Sequence, residues 1–107
     1  MSYSIETIPS FKKRFKKLAK KYPSLKSDLE KLALQLQQNP LLGDHLGNNF
    51  YKVRMAITSK GKGKSSGARV ITHIKVIDSI IYLVTIFDKS EQSSISSFEL
   101  NELLKEI

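Results

Sequence analysis

The sequence predicts an α+β fold in the order β-α-α-β-β-β-α. A short N-terminal strand and a helix hairpin pack on a mainly antiparallel four-stranded sheet, and a C-terminal helix closes the chain. Three observations predict it. Apolar residues recur at helical spacing over 10–21 and again from Leu25 to Leu36. Apolar and polar residues alternate at period two through 50–58 and 68–77, and a nearly unbroken apolar run fills 80–87. With 107 residues the chain reads as one domain, 1–107, large enough for one core.

Each element has its own warrant. Ser2 to Ile8 alternates as a first strand, and Pro9-Ser10 breaks it, with Ser10 placed to cap a helix. Phe11, Phe15, Leu18, Ala19 and Tyr22 form one stripe of that helix. Pro23 ends it and is suited to opening the next, so a tight Tyr22-Pro23 corner should give an antiparallel hairpin. Leu25, Leu29, Leu32, Ala33 and Leu36 make the second stripe, ending near Asn39-Pro40. Residues 40–49 are rich in turn formers and read as a loop. Asp78-Ser79 fits a tight hairpin between the last two strands. Ser96 or Ser97 caps the final helix, Glu99 stands where a capping box needs it, and Phe98, Leu100, Leu103, Leu104 and Ile107 supply apolar surface.

Composition excludes several classes. Apolar residues at 40% and charged ones at 26% describe a globular chain rather than a disordered tail. The longest apolar run, 80–86, is too short to cross a bilayer, and 1–4 lack the pattern of a secretory signal. Cytoplasmic residence is the expectation, with no membrane partner. Without cysteine there is no disulfide or thiolate metal site. The net charge of +8 is uneven: +6 over 1–24, −1 over 25–48, +7 over 49–77 and −4 over 78–107. Two basic blocks of this kind favour a polyanion partner.

The second block carries the sharper signal. From Lys52 to Lys75 there are seven Lys or Arg residues and no acid, around the centre Lys60-Gly61-Lys62-Gly63-Lys64-Ser65-Ser66-Gly67-Ala68-Arg69. Strand alternation places Lys52 and Arg54 on one face of their strand, and Arg69, Ile71, His73 and Lys75 on one face of the next. If the other faces pack on the helices, Lys52, Arg54, Arg69, His73 and Lys75 gather on one basic surface. Lys60, Lys62 and Lys64 would then arch over one end of it on a flexible loop. RNA or DNA is the partner such a surface suits. The ending Gly63-Lys64-Ser65 matches a phosphate-binding loop only in its last three letters, without the glycine spacing or βαβ context. His45 and His73 have no acidic ligands at metal spacing, so no metal and no cofactor is expected. The seven cations of the first helix read as a solvated face, with docking on a large RNA as the other use.

These residues, taken in order, resemble a family. The strand and helix hairpin, Phe50-Tyr51-Lys52-Val53-Arg54, Gly67-Ala68-Arg69-Val70-Ile71, and the apolar strand ending Ile86-Phe87-Asp88-Lys89 are similar to the RelE/ParE superfamily of bacterial type II toxins. The Lys-Gly-rich insertion looks closest to a HigB-like branch. The resemblance implies a RelE-like fold and a metal-independent mRNA endoribonuclease acting in the ribosomal A site, with a cognate antitoxin as protein partner. It implies attack of the 2′-hydroxyl on the adjacent phosphate, with Arg69 stabilising the phosphorane and Arg54 positioning the backbone. Lys60, Lys62 or Lys64 would serve as base or phosphate clamp, Lys89 would take a basic catalytic position, and His73 would stack on a base or donate a proton. Lys52, Lys60, Lys75 and Glu91 would contact RNA. The C-terminal Tyr or His of some members is missing here, which leaves Glu91 or His73 as candidate acids. A ParE-like gyrase inhibitor and a non-catalytic RNA-binding domain are the alternatives of the same fold.

Overall fold

The computed structural model describes residues 3–107, so Ser2, taken as the start of the first strand, lies outside the described residues. The elements are β1 (Ser4–Thr7), α1 (Pro9–Lys21), α2 (Leu25–Gln38), β2 (Asp44–Gly47), β3 (Phe50–Met55), β4 (Ala68–Lys75), β5 (Ile80–Asp88) and α3 (Ser97–Leu103). Short 3-10 turns lie at Thr58–Lys60, Lys64–Ser66 and Leu104–Glu106. The sheet has five strands in the order β1-β5-β4-β3-β2; β1 runs parallel to β5 and every other pair is antiparallel.

The fifth strand, β2, falls inside the stretch read as loop. Asn48 (φ 50°) and Asn49 (φ 63°) both adopt left-handed backbone, as a type I′ turn demands of its two central residues. Gly47 pairs with Phe50 across that turn, and the His45 ring stacks on Tyr51 at 4.9 Å. Asparagine tolerates left-handed backbone at small cost, so a segment of turn formers here closes a hairpin.

One helix cap differs from expectation, and the other is as expected but lacks its capping box. The helix starts at Pro9 with Ile8 as its N-cap, because proline at the first helical position has no N–H to satisfy. Ser10 instead turns to the other end of the chain: its N–H donates to Glu106 Oε1 at 2.8 Å and its hydroxyl donates to Glu106 Oε2. At α3 the cap falls on Ser96, whose hydroxyl accepts from the Glu99 N–H at 3.1 Å. The Glu99 side chain does not complete a capping box and reaches Arg14 at 3.5 Å.

The core joins the helical stripes to the sheet. Phe11, Leu25, Leu32 and Leu36 are buried in one cluster with Val53, Met55, Val70, Ile74, Ile81 and Ile86. Burying each such side chain contributes about 1.5–3 kcal/mol. In β3 the run 50–58 ends early: regular pairing stops at Met55, and the backbone tightens into the turn at Thr58. The β4–β5 connection is a four-residue loop, since Lys75 pairs with Ile80 and Ser79 takes φ 53°, rather than a two-residue turn at 78–79. Ile71 pairs with Thr85 and Thr72 with Leu83, so Val84 is an extra residue in β5. This bulge helps bury consecutive β5 residues, from Leu83 to Asp88, as the unbroken apolar run requires.

Candidate nucleic-acid interface

Strand register builds the site. Across β3 and β4, Arg54 lies directly opposite Arg69, and Lys52 lies opposite Ile71 on the same face. Like charges directly opposite each other in a sheet are unfavourable by a few tenths to about 1 kcal/mol. Arg54 is exposed, whereas Arg69 is only 3% exposed. Burial and the charge of Arg54 both lower the proton affinity of Arg69, and Asp44 on β2 partly offsets them. A cavity of about 210 Å³ opens beside Arg54, lined also by Lys52, Lys64, Asp44 and Gln35 among others.

The Arg69 guanidinium also organises the basic loop. Nη1 donates to the carbonyls of Lys64 at 2.9 Å and Ala68 at 3.1 Å, and Nη2 donates to the Ser65 carbonyl at 3.2 Å. Gly67 is required where this loop rejoins the sheet, because a Cβ there would lie 2.2 Å from the Met55 carbonyl oxygen. The flexible arm expected from the glycines is therefore a pinned loop with two 3-10 turns.

Two buried carboxylates do the pinning. Asp28 Oδ2 of α2 accepts from the Thr58 N–H at 3.0 Å and the Ser24 hydroxyl at 2.8 Å, while Oδ1 accepts from the Thr58 hydroxyl. Asp88 Oδ1 accepts from Lys60 Nζ at 2.7 Å, and Oδ2 accepts from the Tyr22 hydroxyl at 2.6 Å. Burial alone would raise both carboxyls. At Asp88 the bonds from Lys60, Tyr22 and Ser90 outweigh it and hold the group well below the ordinary carboxylate range. At Asp28 the bonds from Thr58 and Ser24, helped by Lys31, shift the group down likewise.

The expected site residues separate into groups. Lys52, Arg54 and Lys64 line one cavity, Arg69 lies buried opposite Arg54, and Lys62 is exposed on the same loop as Lys64. Lys89 follows Asp88, and its N–H donates to the Gly67 carbonyl at 3.0 Å, which sets it beside the start of β4. Lys60 turns inward onto Asp88, with its side chain 13% exposed. His73 shares a face with Arg69 but lies four residues along β4, about 13 Å away at strand rise. Its ring packs at a tilt against Phe50, centroids 4.7 Å apart, and burial lowers its proton affinity against a hydrogen bond with the Asn48 backbone. Lys75, further along, pairs with Asp78 at 3.1 Å, which raises its proton affinity. Glu91 faces α1 and pairs with Lys21 at 3.0 Å, beside a separate groove of about 660 Å³ between α1 and the end of β5. Sequence reasoning missed Asp28, Asp88 and Tyr22. Asp88 did carry a signal, being an acid at the end of an apolar strand. Among the described residues no three His, Asp or Glu side chains gather as a metal site, and no helix is long and apolar enough to cross a membrane.

Fold and charge placement together define a small α+β domain with a cationic site at one end of its sheet. Residues 10–107 match the family model described as the RelE toxin of the RelE / RelB toxin-antitoxin system, and the chain belongs to that toxin family. A solved structure of a doubly substituted mutant of the E. coli toxin RelE in the free state is similar in fold. Its TM-score is 0.67 at 17% identity, with 100% of this chain and 99% of that chain covered. The RelE-like fold that the resemblance implied is thereby shown, with five strands in the mixed sheet rather than four.

Proposed function

We propose that this toxin is a ribosome-dependent mRNA endoribonuclease that cuts without a metal ion and so inhibits translation. The observation that carries the reading is the Arg54–Arg69 pair, two cations held opposite each other across β3 and β4, with Arg54 lining a cavity together with Lys52 and Lys64. Such an arrangement is unfavourable in the free protein and is relieved by a phosphate. That is the condition for stabilising charge that develops on a phosphodiester.

The reaction is attack of a ribose 2′-oxygen on the adjacent phosphorus, with departure of the 5′-oxygen. Arg69 is held by loop carbonyls through Nη1 and Nη2, so its position is set before RNA arrives. It stabilises the phosphorane, and Arg54, exposed across the strand pair, positions the backbone. Lys64 at the cavity wall is the favoured base or clamp, with Lys62 beside it. Lys89 neutralises the leaving side. His73 and Lys75 stand too far along β4 to share this step and fit contacts with flanking nucleotides. As a member of a toxin-antitoxin family, the chain has a cognate antitoxin as partner, and the proposal places that partner over the cationic site.

The test is induction of the chain in bacteria, with mRNA ends mapped on translating ribosomes. Codon-positioned cuts are expected, and they disappear with Arg69→Ala. Gyrase-linked DNA breaks without such cuts would replace this reading with gyrase inhibition.

A further inference from the structure

We propose that Lys60 is a positioning residue rather than an RNA contact: with Asp88 and Tyr22 it locks the basic loop so that Arg69 and Lys64 are correctly placed. The activity arm of this proposal rests on the ribonuclease reading above; its structural arm does not.

Lys60 has used its donors. Its ammonium donates to Asp88 Oδ1 at 2.7 Å and to the Ser66 carbonyl at 2.9 Å, and it sits 5.3 Å from the centre of the Tyr22 ring. An ammonium has three N–H groups, so two are committed and the third faces an aromatic surface. The carboxylate that receives it is itself fully occupied. The Asp88 side chain is 0% exposed, and it also accepts from the Tyr22 hydroxyl at 2.6 Å, the Ser90 N–H at 3.0 Å and the Ser90 hydroxyl at 2.8 Å. One carboxylate thus ties the end of α1, the basic loop and the end of β5.

The bond to Ser66 gives the arrangement its consequence. Ser66 belongs to the 3-10 turn Lys64–Ser66, whose Lys64 and Ser65 carbonyls grip Arg69. Lys60 closes the loop across six residues and so fixes the turn that fixes Arg69. At its other end the loop is held by Asp28 through Thr58. Lys62 and Lys64, between these anchors, are exposed. Three lysines that look equivalent in sequence therefore do two jobs.

The test compares full-length Lys60→Met, Asp88→Asn and Lys62→Ala chains with the parent. Without RNA, trypsin cleavage after Lys62 and Lys64 is expected to rise several-fold in Lys60→Met and Asp88→Asn. In titrations of a single-stranded oligoribonucleotide against salt, Lys62→Ala should lower the slope of log affinity by about 0.7, the loss of one phosphate contact. Lys60→Met should leave that slope unchanged. On programmed ribosomes, Lys60→Met should lower kcat with little change in KM at a temperature where melting shows the chain fully folded.

A slope reduced by one contact in Lys60→Met, or an unchanged trypsin rate, would overturn the proposal. If Lys60→Met does not fold, Lys60→Met combined with Asp88→Asn removes both charges and leaves no unpaired buried ion, and the same readouts apply. If the parent chain fails to cut mRNA, the ribonuclease reading falls, while the trypsin measurement still decides the role of Lys60.

Discussion

Helix α1 and the β3–β4 pair are both strongly basic and hold their charge in opposite ways. Along α1, seven Lys or Arg residues stand on an exposed face, and the nearby acids Glu91 and Glu99 pair with Lys21 and Arg14. Water and mobile ions screen the remainder at little cost. On β3 and β4 the register forces Arg54 against Arg69, one of them buried, with Asp44 as the counter-charge that acts on Arg69. The number of cations is larger on the helix, yet the unfavourable placement is on the sheet. Placement, more than count, marks where a polyanion changes the energy of the protein.

The largest break in that comparison should come from Arg69. Arg69→Ala is expected to lower the rate of codon-positioned mRNA cleavage by about 10²–10³-fold, the range for loss of one preorganised charge donor. Arg69→Lys should not restore it, because an ammonium cannot span the Lys64 and Ser65 carbonyls as the fork does. Next, Gly67→Ala should destabilise the chain by about 1–3 kcal/mol in urea unfolding, since its methyl would collide with the β3 backbone.

Acid titration probes the anchors of the same loop. Asp28 and Asp88 are held below their ordinary values, so near pH 4 the unfolded chain takes up protons before the folded one does. Their contribution is complete above the ordinary carboxylate pKa of about 3.9 and is lost as pH falls below it toward the depressed folded values. Asp88→Asn should flatten that fall in stability measured by urea melts from pH 6 to pH 2. The smallest effect belongs to the helix. Lys12→Gln with Lys16→Gln should change stability by less than about 0.5 kcal/mol and leave the cleavage rate as it was. A loss there as large as that of Arg69→Ala would erase the distinction between the two regions.

Much of this architecture was legible because its signals are local. The stripes of α1 and α2, the alternation of β4 and the apolar run of β5 each lie within a dozen or so residues. β2 was not legible, since its existence depends on Asn48 and Asn49 entering left-handed backbone and on the His45–Tyr51 stack. The positive charges of the site could be counted from the chain alone. The acids that sort them could not: Lys60 and Asp88 are 28 residues apart, and Asp28 and Thr58 are 30 apart. Lys60, Lys62 and Lys64 look alike in sequence because burial, which separates them, depends on contacts across the fold.

The parallel pairing of β1 with β5 sets a schedule for synthesis. Ser4 waits for Ile80, a partner 76 residues later in the chain, and Ser10 waits for Glu106. Contacts at that separation fold slowly, because a long loop must close before any of them form. The first strand of this toxin therefore leaves the ribosome long before its neighbour has been made. The sheet is completed only when almost all of the chain is out.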